Sequence, residues 1–221
     1  GANIISNTYG VITFDGPVTS IGERAFIKCS NLVSISMPNN VLSIGDSAFS
    51  GCSKLVEIKF SENLTSIGNQ AFSGCYNLDA VSIPDNVKHF GDNPFYGCTL
   101  LEFDGKYASL DKKSLIVDGI LVSVANNGMK SYSIPESVTT IGAGAFKGCT
   151  QLTDVRLSSN LKEIPYRMLD GCTSLTTIKI PKSVTTIGEG AFAYCSNLVS
   201  VNVPQGLEIV GESAFYRCEK L

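Results

Sequence analysis

The chain has 221 residues, a net charge of −3 and 43% hydrophobic residues, which is ample for a buried core. Its charge is close to balance and it has no basic run, so no nucleic acid is expected as a partner. No apolar run reaches the length of a transmembrane span and no amphipathic segment is rich in Lys or Arg, so no direct membrane insertion is expected.

One short motif, I-G-x-x-A-F-x-x-C-x-x-L, recurs along the chain, and we call it the kernel. Its eight copies begin at Ile21, Ile44, Ile67, Phe90, Ile141, Ile164, Ile187 and Val210. Successive copies are 23 residues apart, except for one interval of 51 residues. A unit of this length cannot bury its own apolar side, so the copies must stack as the coils of a solenoid with a shared core.

The first full coils show what each unit should form. The nearly alternating apolar residues Leu32, Ile35 and Met37 predict a short strand with one face inward. Pro38 ends that strand because proline has no N–H for a ladder. A second extended piece follows at Val41 and Ile44, and Gly45 supplies a bend. The spacing of Ala48, Phe49 and Cys52 predicts a single helical or 3₁₀ turn against the core.

These residues resemble the BspA-like (Treponema pallidum type) leucine-rich repeat family, whose pattern L-x-x-I-x-I-P-x-x-V-x-x-I-G-x-x-A-F-x-x-C is matched by Leu175 to Cys195. The resemblance covers nearly the whole chain and implies an α/β leucine-rich repeat solenoid, with short strands on one face and short helical turns on the other. It also implies a protein of the cell surface that adheres to host matrix proteins or to other microbes.

Several coils depart from the consensus. The first is partial, with a predicted strand at Val11 to Phe14 and a turn at Asp15-Gly16. The third has Phe60-Ser61 where other coils have an apolar residue and proline. The fourth carries Phe90 and Pro94. In the sixth, Met168 and Leu169 keep the apolar volume of the Ala-Phe pair, which a core tolerates.

From Glu102 to Ser133 the period fails. Two β-rich runs, Ser114 to Val117 and Ile120 to Val124, flank Asp118-Gly119 and predict a hairpin. Asn127-Gly128 predicts a second turn before the repeat resumes at Ile134. One interpretation is an inserted sheet that continues the strand pairing of the solenoid. The other is a binding element, since insertions in repeats often map to the working face.

The cysteines occupy one kernel position, at residues 29, 52, 75, 98, 149, 172, 195 and 218. Side chains stacked on neighbouring coils point in parallel, whereas a disulfide needs side chains that point toward each other. Cysteine also packs well as a small buried residue. We therefore expect a ladder of free, buried thiols.

No set of catalytic or metal-binding residues is apparent, and no cofactor is expected. His89 is the only histidine, and a catalytic base needs a partner within hydrogen-bond reach. Asp104, Asp111 and Asp118 lack the spacing of a calcium loop. The glycines at 142, 144 and 148 are not accompanied by the lysine of a phosphate-binding loop. Asn63-Leu64-Thr65 is a glycosylation sequon, and such triplets are common.

If the apolar strand residues face the core, their neighbours form an outward sheet face. The candidate binding residues on it are Ser34, Ser36, Glu57, Lys59, Ser82, Asp154, Arg156, Thr177, Lys179, Ser200 and Asn202, with Ala80 in the same row. This face is either simply solvated or an extended surface for a protein or glycan. No aromatic cluster marks a hot spot on it.

The sequence predicts a single domain at 1–221 with about eight repeats and a non-repeat segment at 102–133. The predicted function is a non-enzymatic, secreted or surface-displayed adhesion module, monomeric, that binds host matrix proteins, cell-surface proteins or glycans. The alternative is a structural spacer that presents another domain at the cell surface. The first residues lack the features of a signal peptide and the last coil has no polar cap, so we expect the chain to be a fragment of a longer protein.

Overall fold

A computed structural model describes residues 4–8, 11–14 and 17–221, and the predicted turn at Asp15-Gly16 lies outside them. The chain divides into two compact units, Gly1–Leu115 (unit 1) and Ile116–Leu221 (unit 2). That it forms a single domain stays a prediction.

Each complete coil contributes one strand of three residues and one of two. In unit 1 the strands are β1 (Ile4–Thr8), β2 (Val11–Phe14), β3 (Ser20–Ile21), β4 (Ser34–Ser36), β5 (Ser43–Ile44), β6 (Glu57–Lys59), β7 (Ser66–Ile67), β8 (Ala80–Ser82), β9 (His89–Phe90) and β10 (Glu102–Asp104). The division between the units falls within β11 (Ser114–Val117). Unit 2 continues with β12 (Ile120–Val124), β13 (Ser131–Ser133), β14 (Thr140–Ile141), β15 (Asp154–Arg156), β16 (Glu163–Ile164), β17 (Thr177–Lys179), β18 (Thr186–Ile187), β19 (Ser200–Asn202) and β20 (Ile209–Val210).

The strands of successive coils stack in parallel with the register that the repeat predicts, while β1 pairs antiparallel with β2. Ser34 pairs with Glu57 and Ser36 with Lys59, each 23 residues apart. The two-residue strands form a second row, in which Ser43 pairs with Ser66. In most three-residue strands the middle side chain is buried and its two neighbours are exposed. This pattern confirms a β-solenoid built from 23-residue coils.

The predicted strands of the hairpin occur as β11 and β12. Asp118 and Gly119 between them have φ angles of 49° and 80°, and positive φ at both central residues is what a type I′ hairpin turn requires. β12 then pairs in parallel with β14. At the two ends of the 102–133 segment, β10 pairs in parallel with β8 and β13 with β15.

The kernel forms consecutive turns, and the prediction of helical turns was wrong: the described residues contain no helix. Alternate N–H groups donate to the next coil, as in Phe26 N to Ala48 O at 2.7 Å and Lys28 N to Ser50 O at 2.7 Å. The N–H groups between them close turns of the i to i−3 kind, such as Cys29 N to Phe26 O. A helix would use all of these donors within the coil, whereas the solenoid needs half of them to join coils.

The kernel glycine is required by the packing of coils and not by a bend. A Cβ built on Gly45 would lie 2.6 Å from Glu23 N on the preceding coil, closer than real Cβ contacts allow. The equivalent Cβ on Gly188 would lie 2.8 Å from Tyr166 N. At Gly22 in the first kernel, a Cβ would meet nothing within 4 Å. Glycine at this position therefore lets two backbones approach.

Phenylalanine rings form the centre of the core. In unit 1, Phe26, Phe49, Phe72 and Phe95 stack with ring centroids 5.1, 5.2 and 5.4 Å apart and nearly parallel planes. In unit 2, Phe192 stacks on Phe215 at 5.2 Å. The spacing is close to the strand spacing of a sheet, about 4.8 Å, because each ring belongs to a successive coil.

The cysteines are free, and six of the eight are buried. The Cys52 thiol donates to the Phe26 carbonyl at 3.1 Å, and the Cys195 thiol donates to the Leu169 carbonyl at 3.2 Å. Burial raises the pKa of Cys195 from 9.0 to about 12, and that of Cys98 likewise to about 12. The predicted ladder of free thiols is thus confirmed, but Cys29 is exposed and Cys218 is half-buried.

Candidate binding surface

All predicted surface residues occupy the first or third position of a three-residue strand. Ser34 is half-buried and the other ten are exposed. They fall on two sheet faces, one in each unit: β4, β6 and β8 carry the residues of unit 1, and β15, β17 and β19 carry those of unit 2. The alternation of buried and exposed side chains along each strand places them there.

Unit 2 has a groove on its sheet face with a volume of about 580 Å³. We call it the groove, and it lies along β15 and β17 and the turns after them. Its lining comprises Glu136, Asp154, Val155, Arg156, Leu157, Ser159, Thr177, Ile178, Lys179, Pro181 and Lys182. Pockets that bind ligands span about 300–1,000 Å³, so the groove is large enough for several residues or sugars.

Charge in the groove is uneven. The cations Arg156, Lys179 and Lys182 line it, and in the part of the chain that the structure describes none of them forms a salt bridge. Of the two carboxylates, Glu136 is engaged, because the Ser159 hydroxyl and N–H donate to it at 2.7 and 2.8 Å. These hydrogen bonds lower the pKa of Glu136, with a smaller contribution from the charge of Arg156. The groove therefore offers three cations that form no salt bridge with a described residue.

The sheet is interrupted beneath the groove. Within the described strands, β13 pairs with β15 and β17 with β19, but no ladder joins β15 to β17. Unit 1 has the same interruption between β6 and β8. In three coils with an intact ladder, the residue before proline donates its N–H to the next coil, as in Ile134 N to Arg156 O at 2.9 Å.

The interrupted coils share one substitution, serine in place of proline. Ser61 and Ser158 stand where the intact coils have Pro38, Pro84, Pro135 and Pro181. Both serines are buried, and each donates to the preceding coil, Ser61 Oγ to Asn39 O at 3.1 Å and Ser158 Oγ to Val138 O at 2.8 Å. Each hydroxyl also accepts the N–H two residues ahead. Proline has no such hydroxyl, so serine holds its coil to the preceding one and the ladder to the next is lost.

Sequence reasoning placed Asp154, Arg156, Thr177 and Lys179 correctly on the sheet face but missed what the groove adds to them. Lys182, Ser159 and Glu136 lie in the turns that follow the strands, and the alternation of a strand does not reach them. The available signal was the Ser-for-Pro change, which appears as Phe60-Ser61 and again as Leu157-Ser158.

Other candidates do not form a site. His89 is exposed on β9, and Asp104 forms a salt bridge with Lys112 at 3.6 Å. The Asn63 amide donates to the Asn39 carbonyl at 2.9 Å. Among the described residues no group of His, Cys, Asp and Glu could hold a metal ion. Nor does this part of the chain contain an apolar helix of the length needed to cross a bilayer.

Known proteins share both the sequence pattern and the fold. A family profile described as BspA type Leucine rich repeat region matches residues 6–111 and 123–221, in six copies. A leucine rich cell surface protein from Faecalibacterium prausnitzii A2-165 is 26% identical with a TM-score of 0.67, over 93% of this chain and 69% of that one. No curated protein sequence matches the chain significantly.

Two further solved structures are similar. The pneumococcal vaccine antigen PcpA is 22% identical with a TM-score of 0.64, over 90% of this chain and 58% of that one. The leucine rich repeat protein of T. pallidum is 25% identical with a TM-score of 0.49, over 90% of this chain and 87% of that one. The similarity to the pneumococcal protein concerns the fold alone.

Proposed function

Because this chain belongs to the BspA-type leucine-rich repeat family, we propose that it is a non-enzymatic binding module, displayed at the cell surface, that adheres to host matrix or microbial surface macromolecules. Leucine-rich repeat proteins generally bind other proteins. The F. prausnitzii protein is described as a cell surface protein, which supports the proposed location.

The observation that carries the proposal is the pair of exposed polar sheet faces. Each is built from side chains at fixed spacing on rigid strands, which presents many contact groups without ordering a loop. Charged residues on them, such as Glu57 and Lys59 in unit 1 and Asp154 and Arg156 in unit 2, are exposed. Thr177, Ser200 and Asn202 add groups that can donate and accept hydrogen bonds.

The test is a binding screen of the purified chain against fibronectin, fibrinogen, collagen, laminin and a glycan array. A variant with charge reversals at Glu57, Lys59, Asp154, Arg156 and Lys179 should lose saturable binding. A control variant carries reversals at Glu189 and Lys220, which are exposed on kernel turns, and it should bind like the unchanged chain.

A spacer that holds another domain away from the cell surface is the second candidate, since a solenoid can separate its two ends without binding anything. It predicts that the chain binds nothing in the screen. Binding that survives the five reversals but fails with the kernel-turn reversals would contradict the assignment to the sheet faces.

A further inference from the structure

The groove has an unpaired backbone donor. Leu157 lines it and has an exposed fraction of 6%. Its counterparts Met37, Ile134 and Ile180 donate their N–H groups to the next coil at 2.9, 2.9 and 3.3 Å, whereas Ile83 before Pro84 makes no such bond within the described chain. Among the backbone hydrogen bonds of the described residues none is made by the Leu157 N–H. A buried N–H without a partner is unfavourable, so a ligand acceptor that reaches it gains more than at a solvated surface.

Cations surround that donor. Arg156 is adjacent to Leu157 in the chain, and Lys179 and Lys182 lie on the opposite side of the groove, on β17 and the turn after it. The lining has three cations and two carboxylates, Glu136 and Asp154, and so a net charge of +1, whereas the chain as a whole carries a net charge of −3. A charge-assisted hydrogen bond from lysine or arginine to a carboxylate is about twice as strong as a neutral one.

We propose that the groove binds an extended acidic segment of a partner protein, and this rests on the proposed function. The segment's carboxylates meet Arg156, Lys179 and Lys182, and one of its backbone carbonyls accepts the Leu157 N–H. A peptide is favoured over an acidic glycan because leucine-rich repeat proteins generally bind other proteins, and because a peptide backbone supplies a carbonyl acceptor for the unpaired N–H. The groove also lacks the aromatic side chains on which sugar rings or bases would stack.

Unit 1 provides an internal comparison. Its interruption between β6 and β8 also follows a buried serine, but the outward residues there are Glu57, Lys59, Ala80 and Ser82, with one cation and one carboxylate. Lys59 is the third residue of β6, as Lys179 is of β17. In the coil after the interruption, the position that Lys179 has in unit 2 is taken in unit 1 by Ser82.

The experiment measures fluorescence anisotropy of a labelled ten-residue glutamate peptide titrated with the full 221-residue chain. Replacing Lys179 and Lys182 by alanine should weaken binding at least about tenfold, whereas replacing Lys54 and Lys220, which are exposed on kernel turns, should leave it unchanged. A glutamine peptide of equal length should not bind. Equal weakening by the groove pair and by the Lys54 and Lys220 pair would overturn the site, because the peptide would then respond only to overall charge.

A second variant tests the interrupted ladder without changing charge. Ser158→Pro gives this coil the residue found in coils with an intact ladder, so the groove should narrow and the peptide should bind more weakly. If circular dichroism shows that Ser158→Pro is unfolded, Ser158→Ala is tested in its place, because it removes only the hydroxyl. Unchanged affinity in the folded variant would refute the role of the interrupted ladder.

Outcomes for other ligands separate this inference from the proposed function. A heparin or hyaluronan oligosaccharide that binds the groove while the glutamate peptide does not would make the ligand an acidic glycan and overturn the proposal. If neither probe binds but the matrix screen is positive, the groove assignment fails and the proposed function stands. Peptide binding with a negative screen would support the groove and refute adhesion to those surfaces.

Discussion

Alkaline pH should unfold unit 2 through its buried thiols, and Cys195 allows the effect to be measured. The unfolded thiol ionises near its ordinary pKa of 9.0, while burial keeps the folded thiol protonated to about pH 12. The stability that this thiol contributes is therefore complete below pH 9 and is lost progressively as the pH rises to about 12. At pH 10 the loss is about 1.4 kcal/mol for each such thiol.

The assay is urea unfolding under reducing conditions at pH 8 and at pH 10, for the unchanged chain and for Cys195→Ala. The variant starts less stable, but its fall in free energy of unfolding between the two pH values should be smaller by about 1.4 kcal/mol. Cys29→Ala is the matched control, since that thiol is exposed and meets water in both states. An equal fall in the unchanged chain and in Cys195→Ala would refute the reasoning.

Three further predictions concern packing. Phe192→Ala should reduce the free energy of unfolding by about 3–5 kcal/mol, and a chemical denaturation change below about 1 kcal/mol would contradict a core role for the stacked rings. Gly45→Ala should lower the melting temperature, because the added Cβ would clash with the preceding coil. Gly22→Ala should not, because a Cβ in the first kernel would meet nothing within 4 Å. Equal shifts in melting temperature would exclude close backbone approach as the reason for the glycine. In the native chain a polar thiol reagent should label Cys29 rapidly and the six buried cysteines only after denaturation, as followed by mass spectrometry.

The repeat made the strand positions predictable. Residues 23 apart must occupy equivalent places in stacked coils, so the exposed set from Ser36 to Asn202 could be deduced from alternation alone. The hairpin at Asp118-Gly119 was predictable for a local reason, since few residues accept two successive positive φ angles.

The kernel turns and the groove were not predictable in the same way. The spacing of Ala48, Phe49 and Cys52 fits a helical turn as well as the observed turns, because only bonds to the next coil distinguish the two. The groove depends on the Ser158 hydroxyl, which donates to a carbonyl of the preceding coil. A proline at this position could not make that contact. Such a contact joins residues that are distant in sequence, and the repeat pattern of the sequence does not predict it.

The cysteine hydrogen bonds reach back the same 26 residues in coil after coil, from Cys52 to Phe26, Cys75 to Phe49 and Cys98 to Phe72. Contacts of this kind are preserved by any gene duplication or deletion that adds or removes one whole coil. Recombination in such a gene can therefore change the length of the solenoid without requiring a new hydrophobic core. The groove is the exception, since it needs the Ser158 coil and the Lys179 coil as unlike neighbours, and inserting a coil between them would abolish it.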